Sequence, residues 1–175
     1  MLKKGYVQVY TGNGKGKTTA SLGLVMRAAA AGMRVYIGQF IKDAEYNEIR
    51  CLKQRFPEVT VEQYGSGKHC LIDREEKDED RISAANGYSK AKEALISGLY
   101  DVVVLDEINM SAYFNLISNE EILELIELKP EKTELILTGR YASNMVKDAA
   151  DLVTEMHEEK HYYRRGVLAR PGIEM

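Results

Sequence analysis

A short apolar run, a glycine-dense turn and an alanine-rich helical pattern follow one another without a break, and no other feature constrains the chain as much. Tyr6 to Tyr10 (YVQVY) is β-branched and aromatic, the composition of a strand. Thr11 to Thr19 (TGNGKGKTT) comes next, with Gly12, Gly14 and Gly16 inside five positions. Glycine tolerates positive φ and puts no Cβ between the backbone and a ligand, so such a turn can bring amide N–H groups close to an anion. Lys17 adds a point charge and Thr18 a hydroxyl suited to Mg²⁺, while the helix beginning there aims the positive end of its dipole at the same spot. Leu22, Leu24, Val25, Ala28 and Ala29 recur at helical spacing up to a natural stop at Gly32. Arg34 to Ile41 (RVYIGQFI) then reads as a nearly apolar strand, as expected where helices cover both sheet faces. Strand, glycine loop, helix and strand make the βαβ unit that a phosphate site requires, with the first strand expected at the centre of a sheet.

The loop departs from the usual phosphate-binding spacing. That spacing asks for glycine five positions before the final Gly-Lys pair; the position is Thr11 here, and the first glycine, Gly12, comes one residue later. An ordinary glycine-rich turn is the competing reading, and the strand before and helix after it argue against that.

Further along, Lys42 to Phe56 is charged and partly helical, and Val59 to Gln63 reads as a short strand. Tyr64 to Asp73 (YGSGKHCLID) has no periodicity and reads as a loop. In it, His69 and Cys70 are candidate ligands, with an ordinary polar loop as the plainer reading. Asp80 to Ser97 is expected as a surface helix with Ile82, Ala85, Tyr88, Ala91 and Leu95 inward. Asp101 to Glu107 (DVVVLDE) is the second strong signal, a buried strand ending in two adjacent carboxylates. An acidic strand end beside the glycine loop can hold Mg²⁺, directly or through its water shell; the plainer alternative is an acidic cap on the following helix. Ser118 to Leu128 is a helix with Glu120 and Glu121 in its first turn; Glu134 to Thr138, Ser143 to Ala150 and Leu152 to Met156 read as strand, helix and strand. Five to seven strands alternating with helices imply a single α/β domain over residues 1–175, a mostly parallel sheet with helices on both faces. The tail from Glu158 mixes Lys160, His161, Arg164 and Arg165 with Tyr162 and Tyr163, and lacks a core pattern. It is expected to fold over the C-terminal edge of the sheet, as a phosphate contact or as a solvated tail.

Composition narrows the partners. With 175 residues, a formal net charge of -3 and both signs interspersed, nothing suggests a nucleic-acid tail or a membrane-seeking face. No apolar run approaches the roughly 18 residues of a membrane span, and Met1 to Gly5 runs into the first strand without a signal-peptide pattern. Cys51 and Cys70 read as reduced thiols of a cytoplasmic protein, with one disulfide as the alternative.

Several motifs taken together resemble one family. They are TGNGKGKTT, Gln39-Phe40-Ile41-Lys42, VVVLDE, Leu137-Thr138-Gly139-Arg140, Ala150 to Glu155, Lys160-His161, Gly166 and Gly172-Ile173-Glu174. In order and spacing they are similar to the P-loop class of ATP:corrinoid adenosyltransferases, over nearly the whole chain. The resemblance implies a P-loop NTPase-like (RecA-like) fold and a homodimeric cytoplasmic enzyme that uses Mg²⁺ and a flavoprotein or similar reductant. It implies transfer of the 5′-deoxyadenosyl group of ATP to the cobalt(I) of cobalamin or a corrinoid precursor, releasing triphosphate. By the same resemblance ATP lies on Gly12, Asn13, Gly14, Lys15, Gly16, Lys17, Thr18, Thr19 and Arg27. The metal falls to Thr18, Glu107 and Asp106, and catalysis to Lys17, Thr18 and Glu107. Gln39, Lys42 and Arg140 match residues around the site, on its corrinoid side. On pattern alone Arg27 and Lys15 are equally well read as surface cations. In the loop from Gly65 to Asp73 the chain lacks the aromatic residues of well-known members, which points to Leu71 or Tyr113 as the apolar wall on the corrinoid side.

The competing class is a P-loop ATP hydrolase or small-molecule kinase, because paired acids such as Asp106-Glu107 also hold metal and water in such enzymes; a nucleotide-gated binding module is a third. The shortened loop favours adenosyl transfer. That reaction occurs at C5′, at the opposite end of the triphosphate from a γ-phosphoryl transfer, so a loop that seats the chain differently would serve it.

Overall fold

The computed structural model describes residues 2–66 and 77–174. Six parallel strands form one sheet: β1 (Val7–Thr11), β2 (Val35–Phe40), β3 (Val59–Tyr64), β4 (Val102–Asp106), β5 (Glu134–Thr138) and β6 (Leu152–Glu155), in the order β3-β2-β4-β5-β1-β6. The helices are α1 (Lys17–Ala30), α2 (Asn47–Arg55), α3 (Asp78–Ile96), α4 (Ile108–Tyr113), α5 (Asn119–Leu128) and α6 (Asn144–Ala149), and a 3-10 turn covers Tyr162–Arg165.

Side chains alternate across the strands and feed two cores. On one face Val103, Leu105, Leu135 and Leu137 pack with Ala91 and Leu95 of α3, Ile122 and Leu125 of α5 and Val146 of α6. On the other, Val102, Val104, Ile37 and Ile136 meet Val25, Ala28 and Ala29 of α1 and Leu52 of α2. Because both faces are covered, β2 and β4 are buried along their whole length, which is why they read as continuous apolar runs.

The order of strands departs from expectation. β1 lies between β5 and the edge strand β6, and β4 and β5 form the centre. The acidic strand β4 is therefore not beside β1: β5 separates them. Crossover connections decide that order, and hydrophobic periodicity carries no trace of them.

Helix α3 also differs in phase. Ile82 is 70% exposed and Ala85 is exposed, whereas Ala84, Gly87, Ala91, Ala94 and Leu95 are buried. The inward stripe passes through Gly87, where a Cβ would stand 2.8 Å from the Tyr64 ring and 2.9 Å from Phe40. A contact made by a missing side chain is invisible to a search for apolar spacing. The short helix α4 follows the two acids, as the plainer alternative for them had it, and α5 starts as read: the Ser118 hydroxyl accepts from the Glu121 N–H at 3.1 Å and the Glu121 carboxylate accepts from the Ser118 N–H at 2.7 Å.

Candidate active site

The glycine loop leaves β1 at Thr11, a buried residue whose hydroxyl accepts a hydrogen bond from the Ala142 N–H. Gly12 and Gly16 take positive φ, 93° and 123°. Two of the glycines answer to the protein itself. A Cβ at Gly12 would lie 2.4 Å from the Met156 carbonyl oxygen and one at Gly14 2.8 Å from those of Met156 and His157; the Gly14 N–H donates to Met156 O at 2.7 Å. So Gly12 and Gly14 seat the loop against the backbone leaving β6. Gly16 is the N-cap of α1, with no side-chain cap and no acid in the first turn, so that helix end is left to an anion.

Lys17 is buried, and its ammonium donates to the carbonyls of Gly12 at 2.8 Å and Gly14 at 2.7 Å. Burial lowers its pKa, against the pull of the Glu107 charge. The lysine thus braces the loop from inside while lining the cleft.

Asp106 closes β4 and is the hub of the site. Its Oδ1 accepts from the hydroxyls of Thr18 at 2.9 Å and Thr138 at 2.7 Å; its Oδ2 accepts from the Gln39 amide at 3.0 Å and the Lys42 ammonium at 2.7 Å. Burial by itself would raise this carboxyl, but the Lys42 charge and the hydrogen bonds from Lys42, Thr138 and Thr18 outweigh it and hold the carboxyl below its ordinary value. Through Thr18 the acid reaches the glycine loop across the intervening strand β5, whose last residue Thr138 also accepts from the Glu107 N–H.

Glu107 adopts the left-handed conformation at φ 60° and caps α4. A non-glycine residue there is strained, and the turn separates two neighbouring acids: Asp106 is buried in the network while Glu107 lines the cleft. Burial and the adjacent Asp106 charge raise the Glu107 carboxyl above its ordinary value, against the opposing charges of Lys42, Lys17 and Arg140. Lys42 moves the other way from a lone buried amine: burial would lower it, but Asp106 and Glu107 raise it.

These groups open on a cleft of about 1010 Å³ at the C-terminal ends of the strands. Gly14, Lys15, Gly16, Lys17, Thr18, Thr19, Lys42, Glu107 and Arg140 line it. Leu22, Met26, Met110 and Phe114 make an apolar part of its wall, and the tail supplies His161, Gly172, Ile173 and Glu174. Lys15 donates to the Ile173 carbonyl at 3.4 Å. Oxygens of Thr18, Asp106 and Glu107 all lie within 4.0 Å of the Lys42 ammonium, a hard-oxygen donor set already arranged around positive charge. Among the described residues no cluster of three His, Cys, Asp or Glu side chains stands ready to hold a metal unaided.

Other expected residues are elsewhere. Gln39 does not line the cleft: it is fully buried, donating to Asp106 and accepting from the Gln63 amide at 3.0 Å. Arg27 is exposed and outside the cleft, ten residues along α1 from Lys17, or about 15 Å at ~1.5 Å per residue. Gly12, Asn13 and Tyr113 do not line the cleft either; Tyr113 is exposed, its ring tilted against that of Tyr141 with centroids 4.3 Å apart, and its neighbour Phe114 lines the cleft instead. Leu71, with His69 and Cys70, lies outside the described residues. Thr138, Gln63, Met110 and Phe114 were given no role by sequence reasoning. For Thr138 a signal existed, a lone hydroxyl directly after the apolar run Leu135 to Leu137.

Comparison with known proteins matches this chain to a family model described as ATP:corrinoid adenosyltransferase BtuR/CobO/CobP over residues 3–175. A corrinoid adenosyltransferase of a Sinorhizobium species is 36% identical over 174 residues, covering 98% of this chain and 81% of the relative. Those of Pseudomonas aeruginosa and Escherichia coli K12 are 33% and 32% identical, covering 98% of this chain and 84% and 86% of theirs. Among solved structures, a KaiC-like protein from Pyrococcus horikoshii OT3 superposes with a TM-score of 0.61 at 16% identity, over 91% of this chain and 76% of that one, a likeness of fold.

Proposed function

This chain belongs to the ATP:corrinoid adenosyltransferase family BtuR/CobO/CobP, and we propose on that premise that the cleft holds ATP by its triphosphate and delivers C5′ to cobalt(I) of a corrinoid. The observation that carries the reading is the convergence of the uncapped α1 terminus, Lys17, Thr18 and Glu107 on a cleft whose remaining wall includes Met110 and Phe114. The polar half suits a triphosphate and the apolar half suits a flat, largely hydrophobic acceptor.

In the reaction the cobalt(I) electron pair forms the Co–C5′ bond, the C5′–O bond breaks, and its electrons leave with triphosphate, so cobalt becomes cobalt(III). No side chain has to move a proton. What the chain must supply is alignment and positive charge for the departing phosphates. Lys17 and the loop amides beyond Gly14 provide that charge. Thr18 and Glu107, with Asp106 behind Thr18, are the groups that would hold Mg²⁺; the donor set fits a hard cation, which when bound neutralises charge on the leaving group. Arg140, in the cleft wall, is assigned to the same anion, while Arg27 is left without a direct part.

The Gly14 amide, committed to Met156 O, gives the shortened loop a physical sense. The loop leans on the strand end beside it and presents its later amides to the phosphates, which supports a seating of ATP with C5′ outward. The enzyme is further proposed to be cytoplasmic, supplied with electrons by a flavoprotein or similar reductant. It is also proposed to be homodimeric: every residue of the edge strand β6 is exposed, including Leu152 and Val153.

Product analysis tests the reading. With ATP, Mg²⁺ and chemically reduced cobalamin, phosphorus NMR should show triphosphate appearing in step with the spectrum of the alkylated corrinoid. ADP and phosphate formed without corrinoid would instead support the hydrolase class.

A further inference from the structure

The three oxygens assigned above to a divalent cation already surround a cation of the chain. Lys42 Nζ lies 2.7 Å from Asp106 Oδ2, 3.2 Å from Thr18 Oγ1 and 4.0 Å from Glu107 Oε1. A Mg²⁺ ion bound to these groups at ~2.0–2.1 Å would stand almost where the ammonium stands. Two positive centres so close repel each other strongly, so both cannot be held there together.

The surroundings separate what can move from what cannot. Asp106 keeps three other donors, Thr18, Thr138 and Gln39, so its carboxylate is positioned whether or not Lys42 is on it. The Lys42 backbone is fixed as well. Ile41 before it is held at φ 63°, strained for a β-branched residue, and its N–H donates to Tyr64 O at 3.1 Å. Gly65 is packed so tightly on Lys42 that a Cβ would lie 2.6 Å from the Lys42 carbonyl carbon, and Gln63 donates to Ala44 O at 2.9 Å. Only the four-carbon stem is free to turn, and it lines the same cleft as Lys17 and Arg140.

We propose that Lys42 is a positioning residue, an internal counter-ion that occupies the metal position and is displaced from it by the divalent cation, its ammonium passing to the phosphate chain. The proposal rests on the assignment of Thr18, Asp106 and Glu107 as the metal position. It makes metal binding without nucleotide weak, because the ion must evict the lysine from its contacts with Asp106 and Glu107. With a polyphosphate present the lysine gains a new partner, and metal and polyphosphate strengthen each other's binding.

The probe is Mn²⁺, followed by the electron paramagnetic resonance signal of the free ion. It is titrated into the full chain with and without tripolyphosphate, for wild type, Lys42→Met and Lys42→Gln, with folding checked by circular dichroism. Without tripolyphosphate both variants should bind Mn²⁺ on the order of tenfold more tightly than wild type, and the gain that tripolyphosphate confers on wild type should shrink in both. Unchanged or weaker Mn²⁺ binding in the folded variants overturns the proposal while leaving the metal assignment standing. If instead Glu107→Gln and Asp106→Asn bind Mn²⁺ with tripolyphosphate as wild type does, the assignment itself fails, and the proposal with it. A lysine with a purely structural role would leave the metal affinity where it is.

Discussion

At the scale of single residues, two neighbours illustrate how the same chemistry is turned to different ends. Asp106 is buried among four donors and Glu107 stands in the cleft, strained and next to a like charge. Glu107→Gln should therefore stabilise the fold at neutral pH, on the order of 1 kcal/mol, while reducing adenosyl transfer at least tenfold, a trade of stability against function. The sign follows from the raised Glu107 carboxyl: its contribution to stability is present below the ordinary glutamate value of ~4.3 and is lost as pH rises through the higher folded value. Thermal melts should show the advantage of Glu107→Gln at pH 7 and its shrinkage towards pH 4. Gly14 makes a second case. A methyl group there meets two carbonyl oxygens at 2.8 Å, both backbone and unable to yield, so Gly14→Ala should cost about 2 kcal/mol or more by urea unfolding and weaken ATP binding as the loop shifts. A variant as stable as wild type would show that the loop does not lean on the β6 end as described.

Elements divide into those that carry the site and those that support it. The glycine loop, α1, the ends of β2, β4 and β5, and the segment after β2 bring every charged group of the cleft described above except those of the tail. α5 does no such work; it buries Ile122 and Leu125 and is fixed at its start by the reciprocal Ser118–Glu121 hydrogen bonds. Ser118→Ala should lower stability by about 1 kcal/mol and leave the kcat and KM of transfer within twofold of wild type, as steady-state assays of the purified variant will check. β3 is less obvious in its role. Its last residues and Gly65 clamp the backbone of Ile41 and Lys42, so an edge strand that contributes no cleft residue sets the origin from which Lys42 reaches Asp106.

For the whole molecule the consequence is a phosphate seat assembled from distant parts of the chain, which ligand linkage can read as stability. Tripolyphosphate with Mg²⁺ should raise the melting temperature, by an amount equivalent to about 2.7 kcal/mol at a hundredfold excess over Kd, and Mg²⁺ alone should do little. A thermal-shift titration checks both arms. Equal protection by Mg²⁺ alone would mean a site formed without the anion. The tail bears on the same measurement, because Ile173 and Glu174 line the cleft and Lys15 holds Ile173 O.

Local pieces are legible in the order of residues: a strand run into a glycine loop and helix, a buried strand ended by two acids, a capped α5, and motifs in an order that matches one family. Such features depend on residues within a few positions of one another, where side-chain type and spacing suffice. Tertiary structure alone decided that β5 stands between β1 and β4, that Gln39 turns inward while Lys42 turns to the cleft, that Gly87 rather than Ile82 faces the core, and that Gly12 and Gly14 answer to the end of β6. These depend on crossovers and contacts between segments up to well over a hundred residues apart. Hydrophobic period fixes the type of an element but not its neighbour or its phase against that neighbour.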